Sequence, residues 1–389
     1  MTVPAAPLPS IDLLLRSLRG SASKGERWVG GRQGYVARVY TRGSFALSAG
    51  IQAVGKMSAM ERVTVWCPGY FCNEALSPLR KLPLVLKFYP IREDLSPDWS
   101  ALEKLLTYES GIQIFIIVHY FGFPNAISKA RAFCDLYGMV LLEDSAHVLV
   151  PVLPVGLGDL LVFSPRKLLA IPSGGILIVS QDLASYIENV SGIPNRGEVL
   201  HWLCRRLTQR LLLQLHIPWQ AWWAVRRSGL LTKGQHALST PDLWACEPYA
   251  LKLLSTMEQE INKVAELRRR NYMRLREWVD GLEQAKPLFP ALPETVCPYA
   301  FPMVLDYGSE EIVAKLQSLG IPASQWPDLP PEVLANEAEY KIAIQMSKQL
   351  MLLPVHQSLT PNQLDMVGRH LRETLSVSFQ KISDGSLSN

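Results

Sequence analysis

The sequence predicts an α/β fold: a large domain on a mainly parallel sheet, followed by a small C-terminal α/β domain. Three observations carry this. Short apolar, β-branched runs recur between 62 and 179, and stretches with helical periodicity separate them; such alternation points to crossover connections and parallel pairing. One run, IQIFIIV at Ile112–Val118, is apolar almost throughout, as expected of a strand buried on both faces. Hydrophobic residues make up 48% of the 389 residues and charged residues 19%, a globular composition that supplies a large core without disulfides or metals.

The elements follow in order. Residues 1–40 read as an irregular leader with one short amphipathic helix near Ile11–Leu18. Phe45–Met57 reads as a helix, Arg62–Cys67 and Pro83–Tyr89 as strands, Trp99–Tyr108 as a helix. After strand Ile112–Val118 come helix Ala126–Tyr137 and strands Met139–Glu143, Leu160–Phe163 and Gly175–Val179. A Trp-, Leu- and Arg-rich stretch at about 195–235 reads as a helical insertion broken at Pro218, covering a dimer interface or the mouth of a site. Leu251–Val279 reads as one long charged helix. Strand Ala300–Leu305, helix Glu310–Leu319, a strand near Leu350–Leu353 and a helix from Pro361 complete the chain, with SDGSLSN as a frayed tail. The organisation is a leader (1–40), a large domain (41–245) carrying the insertion, then an interdomain helix and small domain (246–380).

Composition excludes several classes. Lys+Arg 39 against Asp+Glu 35 gives +4, with no long basic run for nucleic acid. Six cysteines without a C-x-x-C pair read as reduced thiols rather than a disulfide frame or zinc site. The N-terminus lacks a basic segment ahead of its apolar stretch, so no secretory signal is read. The uncharged run Leu211–Val225 has 15 residues, against about 20 for a membrane span. These features point to the cytoplasm, with membrane-surface contact through the Trp/Arg stretch the less favoured reading of that segment.

Asp144 ends a buried apolar strand, where ligands gather in open α/β sheets; helix capping is its plain alternative. Lys167 lies between Phe163 and the apolar run Leu168–Ile171. Burial, with Arg166 beside it, would favour a neutral, nucleophilic amine; an ordinary snorkelling lysine is the alternative. Together the two suit pyridoxal phosphate (PLP), which needs a lysine for its aldehyde and a carboxylate for its ring nitrogen. Gly43-Ser44 at a helix start, and Ser164, fit a phosphate cradle. Tyr70 or Phe71 would cover one ring face.

These residues make the sequence resemble the DegT/StrS-type, fold-type I, PLP-dependent sugar aminotransferases, from about Arg42 to Leu371. Asp144-Ser145-Ala146-His147 matches the family's D-x-A-[QH] motif; the resemblance implies Asp144 on the pyridinium nitrogen and His147 near the phenolate oxygen. Ser164, Lys167 and Gly174-Gly175 match its Ser…Lys…Gly-Gly segment, with Lys167 as the lysine that takes the aldehyde. Gly43-Ser44 matches its phosphate turn. HYFGFP (His119–Pro124) matches a strand-end stretch lining the site, making His119, with Arg166, a substrate-wall candidate. RRRNY and LLPVHQSLTP resemble its C-terminal features. Departures are a Ser–Lys gap of two residues where common members have four, Ser173 in place of an acidic residue, and no Asn-x-Arg segment in TPDLWACEPYALKLL. In the family that segment reaches the partner subunit's cofactor.

The resemblance implies a homodimeric, PLP-dependent aminotransferase. It would move an amino group from a small-molecule donor, glutamate above all, to a keto group on a nucleotide-linked sugar for polysaccharide synthesis. Other PLP chemistry on the same fold, or a non-catalytic regulatory or scaffold relative, are the alternatives. No metal-ligand spacing is visible.

Overall fold

The structure, a computed structural model, describes residues 3–58, 62–106, 111–188, 196–215, 245–326 and 328–383. Its centre is a seven-stranded sheet in the order β1-β7-β6-β5-β4-β2-β3. The strands are β1 (Tyr35–Tyr40), β2 (Val63–Pro68), β3 (Leu84–Tyr89), β4 (Ile112–Val118), β5 (Val140–Ser145), β6 (Leu160–Phe163) and β7 (Gly175–Ser180). From β3 to β6 every neighbouring pair is parallel; β7 and β1 close the sheet antiparallel. The predicted α/β class with a mainly parallel sheet is therefore what forms. β2, β6 and most of β4 are buried along their length, which explains why they read as unbroken apolar runs rather than alternating ones.

The second sheet is small and antiparallel: β8 (Ala285–Pro287), β9 (Ala300–Leu305) and β10 (Leu350–Pro354), in the order β10-β9-β8. Helices Glu310–Ser318, Lys341–Gln349 and Pro361–Ser383 accompany it. One continuous apolar cluster runs from the large sheet into this region, including Ile116 and Leu142 on one side and Phe301 and Leu353 on the other.

Helix ends follow local chemistry. Ser10 Oγ accepts the Leu13 N–H at 3.0 Å and starts helix α1 (Ile11–Arg19). Gly138, at φ 62°, ends the helix Ile127–Tyr137 in the left-handed region that favours glycine. Helix α2 (Gly43–Ser58) starts directly after β1 and runs across β6 and β7.

Two expectations need correction. The leader is not irregular: Tyr35–Tyr40 is an edge strand in register with β7, and Trp28 is fully buried with its indole N–H on the Leu149 carbonyl at 2.8 Å. The strand is hard to read because its residues are mostly half-buried on both faces. Leu251–Val279 is not one helix but two, Pro248–Glu258 and Ile261–Val279. Gln259 and Glu260 bond three residues back, to Thr256 and Met257, tightening the turn. Tyr249 of the first helix can then donate to the Leu14 carbonyl of α1 at 3.0 Å. Neither Gly nor Pro marks that break. The insertion begins as the helix Arg196–Gln214; its remainder past 215, with Pro218, lies outside the described residues, as does the tail after Ser383.

Candidate active site

The carboxyl ends of β4, β5 and β6 meet the start of α2 in one open cleft. Its free space is about 820 Å³ with the solvent-open part included. Asp144, His147, Ser164, Arg166, Lys167, Gly43, Ser44 and Phe71 all line it. Sequence reasoning missed Arg42, Cys72, Glu74 and Trp326, which line it as well.

Lys167 ends a tight turn, Pro165–Lys167, directly after β6. Its N–H returns to the Ser164 carbonyl at 2.9 Å. The next carbonyl, of Leu168, accepts from Arg268 Nη2 at 2.9 Å and from Gln357 Nε2 at 3.0 Å. The base of the lysine is thus held by distant chain segments. RRRNY and LLPVHQSLTP supply these two residues, and Asn271 of the first donates to the Val355 and His356 carbonyls of the second.

His147 packs among aromatic rings. Tyr299 lies parallel at 4.4 Å and Phe121 at 5.7 Å, with Trp326 edge-on at 5.4 Å. The Phe121 N–H donates to Nδ1 at 3.3 Å, and Nε2 is 3.1 Å from Lys167 Nζ. With Nδ1 accepting, a neutral imidazole carries its proton on Nε2 and donates it to Lys167. That bond calls for a lone pair on Nζ; burial favours it and the Asp144 charge opposes it. Burial pushes both His147 and Lys167 down from their ordinary values, and the lysine's charge lowers His147 further. Phe121 itself has φ 56°, uncommon for an aromatic residue. Its carbonyl accepts the Tyr299 N–H at 2.8 Å, so one residue holds His147 through its N–H and the stacking tyrosine through its C=O.

Asp144 is half-buried at the floor of the cleft. Burial raises its carboxyl, while the Lys167 charge and the Ala146 N–H, 3.0 Å from Oδ1, pull it back. A half-buried carboxylate facing a cleft is suited to a cationic partner.

Ser164 is 1% exposed, and its Oγ has no hydrogen-bond partner. It lies against Gly43, where a Cβ would come within 3.4 Å of that hydroxyl. At Gly175 a Cβ would lie 2.2 Å from the Arg42 carbonyl, so β7 passes the start of α2 only as glycine. The Phe45 and Ala46 N–H groups turn back to the Arg42 carbonyl, both at 3.2 Å; Gly43 and Ser44 present the positive end of α2 to the cleft.

Two expected site residues stand elsewhere. Tyr70 does not line the cleft: its hydroxyl donates to the Trp326 carbonyl and its ring packs on Trp326 at 5.5 Å. Phe71 is the one of the pair that faces the cleft. His119 is not a wall residue either. It is wholly buried, with Nε2 on Glu143 Oε2 at 2.8 Å and Nδ1 accepting the Asn125 N–H at 3.0 Å; both nitrogens are used structurally.

Residues 83–192 match the model of the DegT/DnrJ/EryC1/StrS aminotransferase family. That stretch holds both Asp144–His147 and Lys167, so the family resemblance read from these residues, and with it the expectation of an aminotransferase, is borne out where they stand. Solved structures share the fold. DesI, determined with its TDP-sugar product, superposes with TM-score 0.73 at 16% identity, covering 99% of this chain and 96% of its own. Helicobacter pylori PseC, an aminotransferase of pseudoaminic acid biosynthesis, gives 0.69 at 15%, covering 97% and 100%. The PLP-form of the Streptococcus pneumoniae sugar aminotransferase Spr1654 gives 0.66 at 15%, covering 96% and 98%; a PMP-form is also solved. A comparison with curated proteins returns no match. The architecture is fold-type I, and PLP is the cofactor that family and fold imply. The residues present fit it: a lysine and a carboxylate in one cleft, a buried hydroxyl lacking a partner, and a helix start beside that hydroxyl.

Proposed function

We propose that the protein is a PLP-dependent aminotransferase that carries an amino group from glutamate to a keto group on a nucleotide-linked sugar. The observation that carries this is the convergence of Lys167, Asp144 and the unpartnered Ser164 hydroxyl on a single cleft at the start of α2. DesI with its TDP-sugar product and PseC in a sugar pathway support the choice of acceptor. A surface polysaccharide would be the destination of the aminated sugar.

Bound PLP supplies an electron sink that acidifies the donor's Cα–H. The rest falls to the protein. Lys167, beside His147 Nε2, would be the residue that takes the aldehyde, and its Nζ would move the proton between the donor's Cα and the cofactor. Asp144 would keep a proton on the ring nitrogen. Ser164, Gly43 and Ser44 would hold the phosphate, and Phe71 would cover a ring face. His147, packed among Tyr299 and Phe121, would act through Nε2.

The same reading takes the working unit as a homodimer in the cytoplasm. Leu200, Leu207 and Leu211 project from the helix Arg196–Gln214 at 63%, 43% and 55% exposure, an apolar face suited to a second copy. Arg42 meets Glu198 of this helix at 3.2 Å beside the cleft. No helix among the described residues is long and apolar enough to cross a membrane.

The test is direct. Purified protein is incubated with glutamate, PLP and a panel of nucleotide-linked keto sugars, and products are read by mass. Amination of at least one sugar is expected. No amino transfer across a broad panel, despite a bound-PLP spectrum, would favour other PLP chemistry. No PLP spectrum at all would remove the reading entirely.

A further inference from the structure

Arginine is usually buried only when its donors are met, and this molecule contains a clear example. Arg268, 1% exposed, donates to the Pro298, Tyr299 and Leu168 carbonyls and to Gln357 Oε1, all within 3.2 Å. Arg166 is different. It lines the cleft, yet its buried Nε has no hydrogen-bond partner. Among the described residues it forms no ion pair. Glu74 and Glu198 act on it only through their fields, and Arg42 stands close enough for its like charge, with burial, to lower the Arg166 pKa. Two guanidinium groups placed together repel one another and cost free energy, and the one carboxylate bonded to the pair, Glu198, sits on Arg42.

The missing charge can be located. Arg42 directly precedes Gly43, the first residue of α2, and Arg166 directly follows Pro165 after Ser164. The unpartnered Ser164 hydroxyl lies against Gly43. Two cations, a helix start and a buried hydroxyl donor therefore occupy the same end of the cleft. A carboxylate brings one negative charge. A phosphate monoester brings nearly two, with three acceptor oxygens, and so answers all four features.

We propose that Arg166, assisted by Arg42, binds the phosphate of the cofactor alongside Ser164 and the start of α2, so that the cationic contact comes from the same chain. This rests on the PLP reading above. It also gives a role to the absence of a recognisable Asn-x-Arg segment in TPDLWACEPYALKLL, because the chain carries its own arginine next to the reactive lysine.

The test compares two aldehydes that differ only in the phosphate. Apo protein is titrated with PLP and with pyridoxal, following the visible absorption of the bound aldehyde. The full-length protein is expected to favour PLP strongly. In Arg166→Met, PLP affinity should fall by about 10- to 100-fold, the range for a lost charge-assisted hydrogen bond, while pyridoxal affinity stays within about twofold. Arg166→Lys should recover part of the preference, because it restores charge without the fork geometry. Arg42→Met should cost less, about three- to tenfold, since Arg42 is shared with Glu198. Thermal unfolding of each apo variant checks the fold, and Arg166→Lys serves if Arg166→Met does not fold. An unchanged PLP-to-pyridoxal ratio in every variant overturns the proposal. So does loss of glutamate affinity alone, which would assign Arg166 to the donor's carboxylate. Failure of the unmodified protein to bind either aldehyde would instead remove the PLP reading on which the proposal depends.

Discussion

His119 and His147 stand at the ends of neighbouring parallel strands, both almost wholly buried, and they are used in opposite ways. His119 has each nitrogen engaged inside the protein, on Glu143 and on the Asn125 N–H. Glu143 completes that corner by accepting the Gly156 N–H at 3.0 Å and the Gly158 N–H. His147 has only Nδ1 engaged by backbone; its Nε2 reaches Lys167 in the cleft. A closed polar cluster stabilises a loop, whereas an open one leaves a group aimed at a ligand. The family-like HYFGFP segment contributes both outcomes: His119 to the closed cluster, Phe121 to the open one.

The comparison can be broken most severely at the open end. Lys167→Ala should abolish the visible cofactor band and lower amino transfer by at least about 10³-fold, with little change in urea unfolding of the apo protein. Asp144→Asn keeps the shape and removes the charge; a loss of about 10²- to 10³-fold in rate is expected with the band still present. Rates within tenfold of the parent would show that this carboxylate does not serve the ring. At the closed end the effects should reverse. Glu143→Gln should destabilise the fold by about 2–4 kcal/mol, because it weakens one buried acceptor used by three donors. The cofactor band should be unaltered. Chemical denaturation and absorption together would show whether stability and chemistry separate in this way.

A third histidine sharpens the contrast. His356 is buried with Nε2 donating to the Pro4 carbonyl at 2.8 Å and Nδ1 without a partner. Burial pushes its pKa down to about 3, from 6.5. Between those values the unfolded chain binds the extra proton and the folded one does not, so stability rises with pH there and is lost as pH falls. The slope approaches about 1.4 kcal/mol per pH unit, and His356→Gln should flatten it in unfolding experiments at several pH values. The smallest effect is expected at His147. His147→Gln retains a donor toward Lys167 and should cost less than about tenfold in rate; His147→Ala, lacking one, should cost more.

Much of this was legible in the chain. Asp144 and Lys167 could be found because each interrupts an apolar stretch, and an ionisable group there needs a reason. Ser164 and Gly43-Ser44 followed from the needs of a phosphate. The choice between Tyr70 and Phe71 was not legible: adjacent aromatics point in different directions, and only tertiary packing showed that Tyr70 turns to Trp326. Trp326 and Tyr299 were invisible because they come from the far part of the chain, with no local pattern announcing that they reach His147. His119 misled because the segment resembles a site-lining stretch, while its carboxylate partner, Glu143, sits on the next strand beside Asp144 and carries no separate signal.

The carbonyl of Leu168 has a consequence for how the molecule responds to heat. Two donors grip it, one 100 residues away in sequence and the other 189, and it belongs to the residue next to the reactive lysine. Any opening of the C-terminal half must release that grip and loosen the lysine's turn. Vitamin loading and the melting of the second sheet are thereby joined: a tightly held ligand would protect amides far from where it sits.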